Sequence, residues 1–108
     1  IPSRIAMELA LTGEFISAQR AYELGLVNQV VSSGTALDAA KALAARIAAN
    51  GPLAVAVSKR VVAAAQDWST SEMFQEQAKI IQPVFTSEDA IEGATAFAEK
   101  RAPVWKGK

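Results

Sequence analysis

The base that Ser and Cys nucleophiles most often use, His, is absent from this sequence. The 108 residues include no His and no Cys. These absences exclude Ser-His and Cys-His catalysis, disulfide bonds and the usual zinc ligand sets within the chain. Acid–base chemistry would have to use carboxylates, Lys or Tyr. The lack of Cys also fits a reducing compartment, so we expect a cytoplasmic location.

Three glutamates are the candidates for acid–base chemistry, namely Glu14, Glu23 and Glu72. Each lies in a predicted turn, on a predicted solvent-facing surface or at a predicted helix-capping position. We therefore assign no catalytic role to these three residues, and we predict no metal site in the chain.

An aromatic ring and a cation form a more informative pair. Phe97 and Lys100 are three residues apart, which places a flat apolar face and a positive charge on one side of a helix. Phe97 could be a core residue, with Lys100 a solvated charge that complements the helix dipole. Alternatively, the two side chains could form a binding surface. The pattern alone leaves both interpretations open.

The sequence marks both ends of the helix that carries this pair. Thr86 or Ser87 can cap its first amides, acidic residues follow the cap, basic residues close its last turn, and Pro103 stops it. Gly93, in its interior, costs about 1 kcal/mol relative to Ala, so either the backbone is closely approached there or the position is imperfect. Trp105, in the tail beyond, is expected to pack against the protein rather than extend into water.

Five further helices are indicated upstream by capping residues, by Gly and Pro stops and by apolar residues at helical spacing. The first three are predicted over residues 2–12, 18–24 and 36–49. A fourth begins at Pro52, and a fifth opens with a capping box of Ser69 and Glu72 and ends or kinks at Pro83.

One segment favours a strand. Residues 26–31 include three β-branched valines and lie between Gly25 and a Ser-Ser-Gly turn, which leaves too little room for a helix. A single strand cannot satisfy its own backbone groups. The segment therefore predicts a sheet whose other strands are missing from this chain.

The overall composition restricts the possible partners. Acidic and basic residues balance, so bulk charge does not attract nucleic acid. No apolar run approaches the roughly 20 residues that cross a bilayer, and we expect neither nucleic acid nor a membrane as partner. Because the chain starts with Ile1 rather than Met, directly before a predicted helix, we expect it to belong to a longer polypeptide, with a processed N-terminus as the alternative.

Three stretches together resemble the crotonase family, the enoyl-CoA hydratases and isomerases. Leu11 to Val31 resembles the family's stretch that runs from Leu-Thr-Gly to Gly-Leu-Val. Pro52 to Arg60 is similar to its Gly-Pro-Leu-Ala helix, and Ser87 to Pro103 looks like its C-terminal signature. The order and spacing of these stretches agree across nearly the whole chain.

The resemblance implies a mainly α fold. This fold would be the crotonase-like C-terminal helical region of about six helices, with one strand left over from an absent core, a spiral of ββα units. Residues 1–34 would be the last part of that core, and residues 35–108 a helical oligomerisation region. The family's oxyanion hole and catalytic carboxylates lie upstream of the matched residues. The resemblance thus also implies that no residue here is catalytic.

The resemblance further implies a substrate and a binding role. Family enzymes act on acyl-CoA thioesters, so coenzyme A would enter as part of the substrate, with no permanently bound cofactor. The family's C-terminal Phe and Lys reach the adenosine end of CoA in a neighbouring subunit, and they match Phe97 and Lys100. The full-length protein would be a trimer or a dimer of trimers. Hydratase, isomerase, dehalogenase and decarboxylase chemistry all stay open.

Two other hypotheses remain at this point. The chain could be a non-catalytic helical module that assembles with copies of itself. It could also be a free-standing helical domain whose likeness to the family is accidental.

Overall fold

Six α-helices account for the regular structure of the chain, and a computed structural model describes all of residues 1–108. They are α1 (Ser3–Thr12), α2 (Ala18–Glu23), α3 (Ala36–Ala48), α4 (Pro52–Ala64), α5 (Met73–Phe85) and α6 (Glu88–Glu99), with a 3₁₀ turn at Ala65–Asp67. The expectation of a mainly α fold with six helices is confirmed. None of the six has both the length and the apolarity needed to cross a membrane.

The chain divides into two units, Ile1–Ala42 and Leu43–Lys108. The first contains α1, α2 and the start of α3. In the second, α5 packs against both α4 and α6. The family-based division at residue 34 stays a prediction.

Local signals in the sequence explain where most of the helices begin and end. Ser17 accepts a hydrogen bond from the Arg20 amide at 3.0 Å and caps α2. Gly13 ends α1 in the left-handed conformation, with its amide on the Leu9 carbonyl. Pro52 occupies the first turn of α4, where its missing amide has no cost.

The predicted strand at Leu26–Val31 is wrong. The Leu26 amide donates to the Ala21 carbonyl at 2.8 Å, which continues the turn after α2, and residues 29–32 have no regular structure. A β-branched composition creates only a local preference for extended backbone. A strand also needs a neighbour for its amides and carbonyls, and the chain contains no other strand.

Two details at α5 also differ from expectation. The Ser69 hydroxyl bonds to the Glu72 carboxylate rather than to a backbone amide, so the capping box does not form and α5 begins at Met73. Pro83 does not end α5, which continues to Phe85, and the alternative of a kink at Pro83 stays a prediction. Pro removes a single helical hydrogen bond, and the helix retains its last residues despite that loss.

The interior of the second unit is built on small side chains. Only Val57 and Ala96 are buried hydrophobic residues in the whole chain. Trp105 is half-buried, and its ring lies against Gly51 and Gly93. Its Nε1 donates to the Ala49 carbonyl at 2.8 Å. Gly93 is therefore a point of close approach, as one of the two sequence interpretations predicted.

The ring of Trp105 makes position 93 intolerant of a branched side chain. A Cβ there would lie 3.2 Å from Cη2 of Trp105, and Val would extend beyond that atom. We expect Gly93→Val to destabilise the protein by about 1–3 kcal/mol because the indole must move. Urea unfolding measures the loss, and a red shift of Trp105 emission in a Trp68→Phe background reports displacement of the ring.

Gly51→Ala is the matched control for this substitution. Its Cβ would meet the same ring at 3.5 to 3.7 Å, which is ordinary van der Waals contact. We expect little change in stability or emission. Equal losses at positions 51 and 93 would contradict the importance of the close approach at Gly93.

Candidate functional site

Helix α6 presents two faces of different character. Asp89, Gly93 and Ala96 lie one turn apart and point inward, and Asp89 is only 6% exposed. Ile91 and Phe97 point outward, and Phe97 is 87% exposed. The small and polar face of the helix, rather than its larger apolar residues, therefore packs within this chain.

The buried carboxylate of Asp89 holds the end of the chain. Its Oδ1 accepts from the Lys106 amide at 2.7 Å, and its Oδ2 accepts from the Gly107 amide at 2.9 Å. The Asp89 amide in turn donates to the Lys108 carbonyl at 3.1 Å. Because a buried carboxylate is costly without partners, these bonds fix the tail along the start of α6.

A second carboxylate holds the segment that directly follows the helix. Glu92 accepts from both terminal nitrogens of Arg101, at 2.6 Å to Oε1 and 2.9 Å to Oε2. Its Oε1 also accepts from the Val104 amide at 2.7 Å. Arg101 Nε donates to Glu99 at 2.6 Å. We call Asp89, Glu92, Arg101 and Trp105 the C-terminal clasp.

These contacts shift the ionisation of the clasp and its surroundings. The hydrogen bonds from Arg101 and from the Val104 amide lower the pKa of Glu92 from 4.5 to about 2. The same bond with Glu92 raises the pKa of Arg101. The hydrogen bond to Glu88 raises the pKa of Lys106. The pair of Glu92 and Arg101 is therefore charged at neutral pH.

Lys100 occupies an unusual backbone position at the end of α6. Its φ is 54°, and it is the one residue other than glycine with a positive φ. Its amide donates to the Phe97 carbonyl at 3.2 Å and the Arg101 amide donates to the Ala96 carbonyl at 3.0 Å. This pairing is the Schellman motif, in which glycine is the usual residue at the left-handed position. A lysine there accepts a local strain that glycine would avoid.

The two predicted site residues, Phe97 and Lys100, lie together at the exposed end of α6. Phe97 does not serve as a core residue of this chain. Lys100 is exposed and makes no side-chain hydrogen bond or ion pair, whereas neighbouring Arg101 is held by two carboxylates. The end of α6 thus offers an apolar ring and an unpaired ammonium, which can contact a ligand that carries a ring and an anion.

The other candidate carboxylates are not brought together. Glu14 is exposed in the turn after α1, Glu23 pairs with Arg20 at 3.4 Å, and Glu72 bonds to Ser69. No group of three carboxylates is close enough to hold a metal ion. Sequence reasoning gave no role to the pair of Glu92 and Arg101, because nine residues separate them and no helical spacing signals the contact.

Comparison with known proteins decides the family. The sequence profile described as enoyl-CoA hydratase/isomerase matches residues 1–108. The chain belongs to this family. The resemblance seen in the three sequence stretches is therefore confirmed.

Several members of the enoyl-CoA hydratase/isomerase family share the structure of this chain. An enoyl-CoA hydratase from Mycobacterium tuberculosis is 61% identical with a TM-score of 0.97, and one from Mycobacterium marinum is 58% identical with a TM-score of 0.96. Each comparison covers 100% of this chain and 43% of the other. The crotonase-like C-terminal helical region is thereby confirmed as the fold.

A curated relative has a related activity in its name. The carnitinyl-CoA dehydratase of Proteus mirabilis is 41% identical over 112 residues, which is 100% of this chain and 43% of that protein. The chain thus spans less than half the length of these members of the enoyl-CoA hydratase/isomerase family, and it corresponds to their C-terminal portion.

Because Lys100 has a positive φ, Gly should be more stabilising than Ala at this position, the reverse of their usual order inside a helix. Both substitutions remove the ammonium, but only Gly adopts a positive φ without cost. We expect the Lys100→Gly protein to be more stable than the Lys100→Ala protein by about 1 kcal/mol in urea unfolding. At exposed Ala94, inside the same helix, Ala94→Gly should instead cost about 1 kcal/mol. If Gly were less stable than Ala at position 100 as well as at position 94, the backbone of Lys100 would not be strained.

The lowered pKa of Glu92 makes part of the stability depend on pH. Because the folded pKa of about 2 lies below the ordinary 4.5, the ionised carboxylate stabilises the folded state above pH 4.5. That contribution is lost as the pH falls from 4.5 towards 2. We expect Glu92→Gln to flatten the loss of stability across this window, measured as the urea midpoint against pH. Glu23→Gln, which changes an exposed carboxylate, serves as the control. If the urea midpoint of Glu92→Gln falls with pH as steeply as that of the unsubstituted protein, Glu92 is not the source of this pH dependence.

Proposed function

We propose that this chain is the C-terminal part of an enzyme that hydrates 2-enoyl-CoA thioesters in acyl-CoA and fatty-acid metabolism. The observation that carries the proposal is the match of the whole chain to the enoyl-CoA hydratase/isomerase family. Its support is the 61% identity to a protein named an enoyl-CoA hydratase. The carnitinyl-CoA dehydratase relative is likewise named for removing water from a CoA ester.

The 108 residues alone are proposed to be inactive. Adding water to an enoyl thioester needs donors for the developing enolate oxygen and a carboxylate that handles the proton. The dispersed positions of Glu14, Glu23 and Glu72 support the absence of the second element from this chain. The catalytic groups are proposed to lie in the preceding part of the enzyme.

Phe97 and Lys100 are proposed to bind the adenosine end of the CoA thioester held by a neighbouring subunit. The ring of Phe97 would lie against adenine, and the ammonium of Lys100 would pair with the ribose 3′-phosphate. Support comes from the exposure of Phe97 and from the unpaired charge of Lys100. Strain at Lys100 adds to it, since strained residues concentrate where a side chain is used. No permanently bound cofactor is proposed.

A homo-oligomer, as a trimer or a dimer of trimers, is proposed as the active assembly in the cytoplasm. Large apolar side chains on α5 and α6 are exposed in the isolated chain, among them Phe74, Phe85 and Ile91. Surfaces of this kind are usually covered by another protein surface. The same observation favours the second candidate, a helical assembly module without catalysis. Light scattering that found only monomers of the full-length protein at high concentration would contradict both.

The experiment that tests the proposal is the hydration of crotonyl-CoA. The full-length protein should hydrate this substrate, and residues 1–108 alone should not. Turnover by the 108 residues would overturn the assignment of the catalytic groups. An inactive full-length oligomer would favour the assembly module.

The same assay tests the contact proposed for Lys100. In the full-length enzyme, Lys100→Ala should raise KM for crotonyl-CoA while kcat is nearly kept, because a remote contact binds ground state and transition state equally. An unchanged KM would contradict the contact and leave Lys100 as a solvated charge at the end of the helix.

A further inference from the structure

The direction in which Lys100 leaves α6 depends on the residues that follow it. Lys100 has a left-handed backbone, so its side chain departs from the line of the helix. The Schellman hydrogen bonds hold this conformation from the helix side. A strained backbone conformation persists only where the surrounding structure holds it in place. We therefore expect a second restraint, on the residues that follow Lys100.

Glu92 supplies that second restraint. One carboxylate binds the side chain of Arg101 through both oxygens and the backbone of Val104 through one. Residues on both sides of Ala102 and Pro103 are therefore tied to the middle of α6. Lys100 is held between its own helix end and a segment that cannot shift without breaking these bonds.

The tail beyond Val104 does not depend on Glu92. Asp89 accepts the amides of Lys106 and Gly107, and Trp105 bonds to the Ala49 carbonyl. Loss of the Glu92 bridge would therefore leave the chain end attached and would free mainly residues 100–104. The two parts of the clasp thus have separable effects.

We propose that Glu92, through its bridge to Arg101, is a positioning residue that holds the unpaired ammonium of Lys100 towards the 3′-phosphate end of a CoA thioester. This inference rests on the proposed function of Lys100. Glu92 itself touches no ligand; it acts by fixing the backbone from which Lys100 projects. A flexible lysine would lose part of its binding contribution to the entropy of ordering it.

The test compares two thioesters in the full-length enzyme. Crotonyl-CoA carries the 3′-phosphoadenosine part, whereas crotonyl-pantetheine lacks it and cannot contact Lys100. Glu92→Gln keeps the size of the side chain but not the paired carboxylate oxygens that Arg101 requires. We expect it to raise KM for crotonyl-CoA about threefold to tenfold, with kcat nearly kept. The KM for crotonyl-pantetheine should not change.

Glu88→Gln is the matched control. It removes the same charge from the same helix but affects only the exposed pairs with Lys106 and Lys108. We expect no change in KM for either thioester. An equal rise in KM for Glu88→Gln and Glu92→Gln would attribute the effect to general charge and overturn the positioning role.

A double variant separates positioning from the contact itself. If Glu92 acts through Lys100, Glu92→Gln should add no further rise in KM in a Lys100→Ala background. An additive rise would overturn the inference while leaving the contact of Lys100 intact. An unchanged KM in Lys100→Ala alone would instead refute the proposed contact, and the positioning role with it.

A second variant protects the test against misfolding. Arg101→Gln breaks the same bridge from its other end and leaves Glu92 free to accept the Val104 amide. It should reproduce the selective rise in KM for crotonyl-CoA. If it folds with wild-type values for both thioesters, Glu92 does not position Lys100 through the bridge.

Discussion

The buried carboxylate of Asp89 is the constraint on which the C-terminal part of the molecule depends. A charge so far removed from water requires partners, and the amides of Lys106 and Gly107 provide them. Each hydrogen bond to an ionised group contributes about 1.5–3 kcal/mol, which is enough to order a short tail. Once the tail lies along α6, Trp105 reaches the surface formed by two glycines. The residue of α6 that receives the ring must then be small, as Gly93 is.

Attachment of the tail also explains the contrast between two adjacent cations. Arg101 turns back onto Glu92 and Glu99, and its charge is used within the chain. Lys100 has no partner and sits in a backbone conformation that glycine would adopt more easily. Stability alone would favour glycine at this position. A lysine there is the kind of local conflict that occurs at functional positions, where a side chain is kept despite its cost in stability.

The distribution of apolar surface fits a chain whose helices make contacts outside themselves. Two buried hydrophobic residues are too few to account for six helices by interior packing. Polar bonds, the indole of Trp105 and the packing of α5 between α4 and α6 hold the second unit. Four large apolar residues of α5 and α6 are exposed, namely Phe74, Phe85, Ile91 and Phe97. This arrangement is consistent with relatives more than twice as long as the chain.

Features that depend on neighbouring residues were determined by the sequence alone. Ser17, Gly13 and Pro52 mark helix ends as the sequence predicted, and Ser87 rather than Thr86 caps α6, which the sequence had left open. The position of Phe97 and Lys100 at the end of α6 follows from the same local rules. The order of the three motif stretches was also enough to predict the family. It did not show which contacts the residues of those stretches make. Local bonding needs no knowledge of the fold, which is why these features could be predicted.

Features that join distant residues were decided by tertiary structure. Leu26–Val31 has strand composition, yet it forms none because no partner strand is present. Trp105 finds the Ala49 carbonyl across 56 residues, and Arg101 finds Glu92 across nine, beyond any helical repeat. Gly93 had two possible explanations until the indole was located above it. In each case the deciding partner is brought near by the path of the chain, and residue types and local spacing contain no record of that path.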